Sequence, residues 1–402
     1  MLEKAIETCA ELGFETYIDD EGYYGYAEIG SGDEMLGILC HLDVVPAENI
    51  EAWTSHPFEL DVRDEQLFGR GTEDDKGPTI AALFAVKALI DAGYTFNKRI
   101  RFIFGTDEET LWRDMDQYNL KEEAPTLGFA PDADFPLTYA EKGLLQIYLV
   151  GPGSKTLALD TGGALNVVPD AGTYEGDKLE DIKASLDELG YGYTVENDTL
   201  VVNGKSIHSK DAHKGVNAVT LLVEALGQHF NHKTLDFLNE QVANDAHAQN
   251  IFGLLEDEMS GPLTFNVANL KISPEESRIG LDLRIPVTVD KDKLVSNLKE
   301  VINKYDLTYE EYDYLGSLYV PLDSELVETL LSVYRDLTGD MTEPKSSGGA
   351  TFARTIDNCV AFGARVKGVE STAHQVDERM TLSNFYEAME IYAVAVKELA
   401  TD

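Results

Sequence analysis

Met35-Leu36-Gly37-Ile38-Leu39-Cys40-His41-Leu42-Asp43-Val44-Val45 is an apolar run that ends in an imidazole and a carboxylate two residues apart. The run Met35–Cys40 predicts a buried strand. On an extended chain, positions i and i+2 share a face, so His41 and Asp43 can reach one site at the strand's end. A histidine followed at i+2 by an aspartate suits a metal ligand and the acid that orients it. A polar turn gives the same pattern, and the rest of the chain has to decide. Cys40 points to the opposite face and reads as a core residue.

Two acidic stretches follow in the same half of the chain. Gly69-Arg70-Gly71-Thr72-Glu73-Asp74-Asp75-Lys76-Gly77-Pro78 precedes a helix predicted over Thr79–Asp91, with Ile80, Leu83, Phe84, Ala88 and Leu89 on its buried side. Helix capping accounts for one acid there, but two adjacent acids are more than a cap needs. Lys98–Phe104 predicts a strand that runs into Gly105-Thr106-Asp107-Glu108-Glu109-Thr110. Acids gathered just past a buried strand are costly without a cation or substrate to balance them, and ligands bind outside the carboxyl ends of strands in open α/β sheets. A third such place is Ala130-Pro131-Asp132-Ala133-Asp134.

Bulk properties narrow the class. The 402 residues are too many for one ordinary core and imply two domains. There are 73 acidic against 32 basic residues, a formal net charge of -41. Such a surface repels phosphate backbones, which excludes nucleic acid as an expected partner. No apolar run reaches the ~20 residues that span a bilayer, so no membrane partner is expected, and no signal peptide opens the chain. Three cysteines far apart, Cys9, Cys40 and Cys359, imply no disulfide framework and fit a reducing cytoplasm.

Elsewhere the periodicity predicts a helix over 3–12, strands at Glu15–Ile18 and Tyr23–Ile29, and a loop over 46–66. Gly151–Ser154 reads as a domain boundary. It lacks the spacing of a phosphate loop. A strand at Leu144–Val150, a helix over 177–190, a hairpin over 193–202, helical patterns over 217–258, strands at 263–270 and 278–285, and a helix over 290–304 suggest an α+β layer. The first domain resumes near Asp323, with a helix over Ser324–Leu337, a short strand at Cys359–Phe362 and a last helix over Ser383–Leu399. The expected organisation is therefore α/β with two domains. Residues 1–142 and 319–402 form a catalytic domain, and 143–318 form an inserted α+β domain.

His41, Asp74, Glu108-Glu109, Asp132 and His374 each lie just beyond an apolar strand or in a flanking turn. Two imidazoles and several carboxylates suit two zinc or manganese ions. A shared carboxylate would set them ~3.5–4 Å apart. One further acid is needed as general base, and Glu108-Glu109 offers both roles.

The ordered motifs resemble the M20 family of dinuclear metallopeptidases, and within it the PepV-like dipeptidases of Gram-positive bacteria. They are His41-Leu42-Asp43-Val44-Val45-Pro46, Gly69-Arg70-Gly71-Thr72-Glu73-Asp74-Asp75-Lys76-Gly77, Gly105-Thr106-Asp107-Glu108-Glu109-Thr110 and Ala373-His374-Gln375. The resemblance implies two divalent ions. His41 and Asp132 would serve one, Glu109 and His374 the other, and Asp74 would bridge them, with Asp134 the competitor for the place of Asp132. It implies Glu108 as general base, Asp43 as the acid orienting His41, and a cis peptide between Asp74 and Asp75. His208, in Gly204-Lys205-Ser206-Ile207-His208, resembles the family's oxyanion histidine. Ala212 stands where that motif usually has proline. Asn166, Arg284, Gly349 and Ala350 resemble substrate-binding positions, Arg284 as the clamp on a terminal carboxylate. The implied activity is hydrolysis of dipeptides with a free carboxylate, by a cytoplasmic enzyme in which the inserted domain is a lid within one chain, compatible with a monomer. An amidohydrolase of N-acyl amino acids and a non-catalytic homologue are the alternatives. His56, His213, His229, His232 and His247 are expected at the surface or in loops.

Overall fold

The computed structural model describes residues 1–47 and 49–401. The fold is mixed α/β and divides into two compact units. The first comprises Met1–Ala140, Leu318–Ser346 and Ala350–Asp402, and the second comprises Glu141–Ser317 with Ser347–Gly349.

In the first unit, Met35–His41 is buried at every position, as its unbroken apolar run requires of a central strand. It pairs in parallel with Arg99–Gly105 on one side and with Leu127–Ala130 on the other. Cys359–Ala361 continues the parallel set beyond Leu127–Ala130. Glu15–Ile18 and Gly25–Gly30 add an antiparallel edge next to Arg99–Gly105. Three parallel strands thus end side by side, and the chain leaves them through 42–44, 106–110 and 131–134. Those are the segments that carry the acids.

The helix Lys76–Asp91 begins three residues earlier than predicted, with Gly77 and Pro78 in its first turn. Its buried face is also different. Ile80 and Phe84 are exposed, while Ala81, Ala82, Leu83, Ala85, Val86 and Leu89 are buried. This helix packs on the helix Leu382–Ala400. A face of alanines lets two helix backbones approach closely, which turns the larger Ile80 and Phe84 outward.

The second unit is built on an antiparallel sheet in the order Leu159–Asp160, Thr264–Ile272, Glu276–Ile285, Gly143–Pro152, Thr308–Leu315. Leu145, Ile147 and Leu149 alternate inward from Gly143–Pro152. They share one core with Leu222 and Leu226 of the helix Ala218–Gly227, and with Leu294 and Leu298 of the helix Lys291–Ile302. Period-two burial against period-3.6 burial is what an α+β layer demands.

Several local expectations change. Gly151 and Pro152 continue a strand and pair with Ser277 and Glu276, so no boundary falls there. Within 46–66, Asp61–Arg63 forms an antiparallel strand with Gln66–Phe68, although Glu48 lies outside the described residues. The stretch 217–258 contains Ala218–Gly227, Lys233–Phe237 and Gln249–Phe252 as separate helices, and its end, Glu256–Asp257, is strand. The helix Arg113–Lys121 was not legible, because its polar sequence leaves only Asp114, Met115 and Tyr118 buried. All three cysteines are buried and none is in a disulfide.

Candidate metal centre

The ends of the parallel strands bring His41, Asp74, Glu109, Asp132 and His374 together within the first unit. The carboxylate of Asp74 is the centre of the cluster. Its Oδ1 lies 2.8 Å from His41 Nε2, and its Oδ2 lies 3.0 Å from His374 Nε2. Glu109 Oε1 is 3.1 Å from His374 Nε2, and Asp132 Oδ2 is 3.9 Å from His41 Nε2. Donor atoms of His41, Asp74 and Glu109 all lie within 4.8 Å of one another. The His41 side chain is 1% exposed, whereas that of His374 is 53% exposed, so the centre opens on the His374 side.

Asp134 lies apart from this arrangement. Its Oδ2 accepts from Lys345 Nζ at 2.9 Å, and its Oδ1 accepts from Arg365 Nε at 2.6 Å.

Asp43 does more than face His41. Its Oδ1 lies 3.5 Å from His41 Nδ1, at the limit of hydrogen-bond reach. Its short bonds go elsewhere: Oδ1 accepts from Glu108 N at 3.2 Å, and Oδ2 from Glu109 N at 3.0 Å. One carboxylate therefore fixes the backbone of both acids in 108–109. Asp114, fully buried, holds the preceding turn by accepting from Thr106 N and Asp107 N at 2.6 and 2.9 Å. Gly105 is required at the strand's end, because a Cβ there would lie 2.3 Å from Asp114 Oδ2 and 2.4 Å from the Phe352 ring. The peptide between Asp74 and Asp75 is cis. Asp75 is fully buried, and its Oδ2 accepts from His41 N at 3.2 Å and from Thr79 Oγ1 at 3.1 Å.

The electrostatics are those of acids short of cations. Burial pushes Glu108 up to about 8; His41 opposes the shift, and Glu109, Asp74 and Asp43 add to it. Burial, opposed by His41 and reinforced by Asp74, pushes Asp75 up to about 8. Asp132 is raised by burial and by Asp74. Burial alone would raise Asp74 too, but His374 and His41 hold it well below the ordinary carboxylate range. Hydrogen bonding to Asp74 and Glu109 pushes His374 up to about 10.

This donor set fits a pair of divalent ions. Asp74 turns one oxygen toward each imidazole, and each imidazole has a further carboxylate beside it. Nitrogen and oxygen donors of this kind suit zinc or manganese. His41 Nδ1 is buried without a hydrogen bond and lies 3.5 Å from Asp43 Oδ1, the acid placed to orient the ring toward a metal. A consequence can be measured. At pH 7 the metal-free site retains a proton on His374, pushed up to about 10, and on much of Glu108, pushed up to about 8. Ligation by His374 Nε2 and Asp132 needs both deprotonated. Metal binding at pH 7 is therefore expected to release protons. Isothermal titration calorimetry in buffers of different ionisation enthalpy reads that release, and a heat independent of buffer would contradict it.

The remaining expected site residues cluster in the second unit, except Ala350, which belongs to the first. His208 and Val167 are paired across two short strands, and Ser209 N donates to Asn166 O at 2.8 Å. His208 is exposed, and its Nδ1 accepts from Lys210 N at 3.1 Å. The ring itself is partly shielded from solvent although the residue is exposed, and that shielding, with the charges of Arg284 and Lys210, lowers it to about 4. The ring is thus neutral at pH 7 with its proton on Nε2. Arg284 is 2% exposed and heavily bonded. Nε donates to Asp282 Oδ1 at 2.7 Å, Nη2 to Asp282 Oδ2 and Ser209 Oγ at 3.1 and 3.2 Å, and Nη1 to Gly348 O at 2.9 Å. Gly349 N donates to Ser347 Oγ at 2.9 Å.

His232 departs from expectation: it is buried, and its Nδ1 accepts from Thr234 N as the cap of the helix Lys233–Phe237. His213 and His247 stack with ring centroids 5.7 Å apart beside a cavity of about 410 Å³ in the second unit. Sequence reasoning missed Glu73, Asp75 and Glu378. Glu73 and Asp75 stand inside the quoted 69–77 motif and Glu378 three residues past Gln375, but an acid's acceptor role toward peptide N–H groups leaves no periodic signal.

A model of the family described as "Peptidase family M20/M25/M40" matches residues 37–398. "Putative dipeptidase YtjP" of Bacillus subtilis (strain 168) is 36% identical over 423 residues, covering 99% of this chain and 90% of that protein. A "Putative dipeptidase" of Staphylococcus epidermidis is 35% identical, covering 97% and 88%. Among solved structures, an M20 family metallo-carboxypeptidase, Sso-CP2 from Sulfolobus solfataricus, aligns with a TM-score of 0.62 at 20% identity over 98% of this chain and 93% of its own. Human carnosine dipeptidase 1 aligns with a TM-score of 0.57 at 16% identity over 99% and 89%. At these identities the two structures speak for the fold alone.

Proposed function

Because the chain belongs to peptidase family M20/M25/M40, and so hydrolyses peptide bonds, we propose that it is a dinuclear metallo-dipeptidase acting on dipeptides with a free carboxylate. The observation that carries this reading is the Asp74 carboxylate, with one oxygen 2.8 Å from His41 and the other 3.0 Å from His374. A single acid so placed would be shared between two ions, one of which His41 and Asp132 would hold and the other Glu109 and His374. Two zinc or manganese ions held there would supply Lewis acidity toward the scissile carbonyl and lower the pKa of water.

The protein's own residues do the rest. Glu108 is the general base: it takes the proton of the attacking water and returns it to the leaving amine. Asp43 keeps Glu108 and Glu109 in place through their peptide N–H groups. His208 donates its Nε2–H to the oxyanion of the tetrahedral intermediate. Arg284, Asn166, Gly349 and Ala350 serve the substrate, and Arg284 holds the terminal carboxylate through whatever donor capacity Asp282, Ser209 and Gly348 leave it. The names of the Bacillus and Staphylococcus relatives support the dipeptide over other substrates. A soluble cytoplasmic monomer fits the acidic composition, and no helix among the described residues is long and apolar enough to cross a membrane.

A panel of dipeptides and N-acyl amino acids tests the reading, with chelator-treated protein compared before and after zinc or manganese is restored. Metal-dependent turnover of dipeptides is expected. Turnover confined to N-acyl amino acids would make the protein an amidohydrolase. Metal binding without turnover would make it a non-catalytic homologue.

A further inference from the structure

We propose that Glu73 and Glu378, neither of them a metal ligand, form a reciprocal clamp that sets the distance between Asp74 and His374. The inference rests on the two-ion reading above and adds to it the residues that control one of the two ions.

The two loops that carry Asp74 and His374 are each capped by a carboxylate from the other. Glu378, 0% exposed, reaches into the 69–75 loop. Its Oε1 accepts from Gly71 N, Glu73 N and Asp74 N at 3.0, 2.9 and 3.2 Å. Its Oε2 accepts from Arg70 Nη1 at 2.6 Å. In return, Glu73 reaches into the loop before His374. Its Oε2 accepts from Thr372 N and Thr372 Oγ1, both at 2.7 Å, and its Oε1 accepts from Ser371 Oγ at 2.7 Å and Arg365 Nη1 at 3.3 Å.

Three peptide N–H groups converging on one buried oxygen fix a backbone closely, since each would otherwise be buried unpaired. The backbone of Glu378 is itself fixed. Gly69 N donates to Glu378 O at 3.0 Å, and Arg379–Thr381 pairs with Gln66–Phe68. Asp74 therefore cannot move away from His374 without breaking bonds at both carboxylates.

The clamp acts unequally on the two ions. His41 stands on a fully buried central strand, and its own N–H is tied to Asp75, the residue after Asp74. That side has a second anchor. His374 sits on an exposed loop, and its position depends on Glu73 and Glu378. Loosening the clamp should weaken the ion served by His374, Glu109 and Asp74 Oδ2, and spare the ion served by His41 and Asp132.

The test is a titration of chelator-stripped full-length protein with zinc against a competing chelator. Wild type is expected to bind two ions. Glu378→Gln keeps an acceptor oxygen but loses the charge, and is expected to weaken one ion by about 10–100-fold, the range for outer partners of metal ligands. The other ion should stay near its wild-type affinity. Glu73→Gln should weaken the same ion. The double variant should be no weaker than the worse single variant, because both residues hold one distance. Ser371→Ala removes a single donor to Glu73 and should give a smaller loss at the same ion. It carries the test if the Gln variants do not fold. Equal weakening of both ions, no change at either, or additive losses would overturn the clamp. A wild type that binds no ion would instead overturn the two-ion reading beneath it.

Discussion

Glu108→Ala is expected to lower kcat by about 10²–10⁴-fold, the usual contribution of a positioned general acid–base, while the protein still takes up its two ions. The chemical argument is the environment of the carboxyl group. It is partly buried beside Glu109, Asp74 and Asp43, and in the metal-free protein loss of solvent pushes it up to about 8, against the opposing pull of His41. Cations held by the neighbouring carboxylates would lower that value, the direction that frees Glu108 to accept a proton. The structural argument is that alanine leaves the scaffold intact. Position 108 is held through its backbone N–H by Asp43 Oδ1 at 3.2 Å, and Glu109 is held separately by Oδ2 at 3.0 Å. No part of that depends on the Glu108 side chain. Steady-state kinetics together with metal analysis of the purified variant reads both halves. Normal turnover would remove Glu108 from the mechanism, and loss of metal would make it a ligand instead.

His208→Ala is expected to lower kcat by about 10²–10³-fold, as removal of an oxyanion donor does, with a much smaller change in KM. The ring is prepared to donate from one nitrogen only. Lys210 N donates to Nδ1 at 3.1 Å, so a neutral imidazole carries its proton on Nε2. Loss of solvent, Arg284 and Lys210 hold the ring neutral down to about 4. Because the folded value is depressed, acidification from pH 7 to pH 5 leaves His208 uncharged, and its contribution to kcat should not titrate across that window. An NMR titration of the His208 ring should follow a midpoint near 4. If the variant raises KM and leaves kcat unchanged, His208 binds substrate and does not stabilise the intermediate.

What was legible in the sequence was whatever depends on local pattern. An unbroken apolar run needs burial on both faces, so Met35–Cys40 was identifiable as a buried strand, and the structure places it centrally as Met35–His41. The acids just beyond Phe104 and Ala130 stood out as candidates for a site, because charge gathered at strand ends needs a reason. Four motifs in order then pointed to the family that the later comparisons show. The role of single residues was less legible. The helix Lys76–Asp91 is apolar around much of its circumference, so its pattern could not say that Ile80 and Phe84 face outward. That follows from how the helix packs on Leu382–Ala400, which leaves Ile80 and Phe84 exposed.

The sequence by itself determined which chemistry is available: two imidazoles, a set of carboxylates, and the strands that end at them. Only the tertiary structure decided which of those groups face one another. Asp132 and Asp134 are chemically identical and two residues apart. Lys345 and Arg365, 211 and 231 residues further along, engage Asp134 and leave Asp132 facing His41. Glu73 and Glu378 are ordinary acids in sequence, and become a clamp only because their carboxylates cross between two loops. Arg284 is a free fork in sequence, and in the fold it is largely taken up by Asp282, Ser209 and Gly348. The physical reason is the same in each case. Residue type fixes what bonds a side chain can make, but partners hundreds of residues away fix which of them it does make.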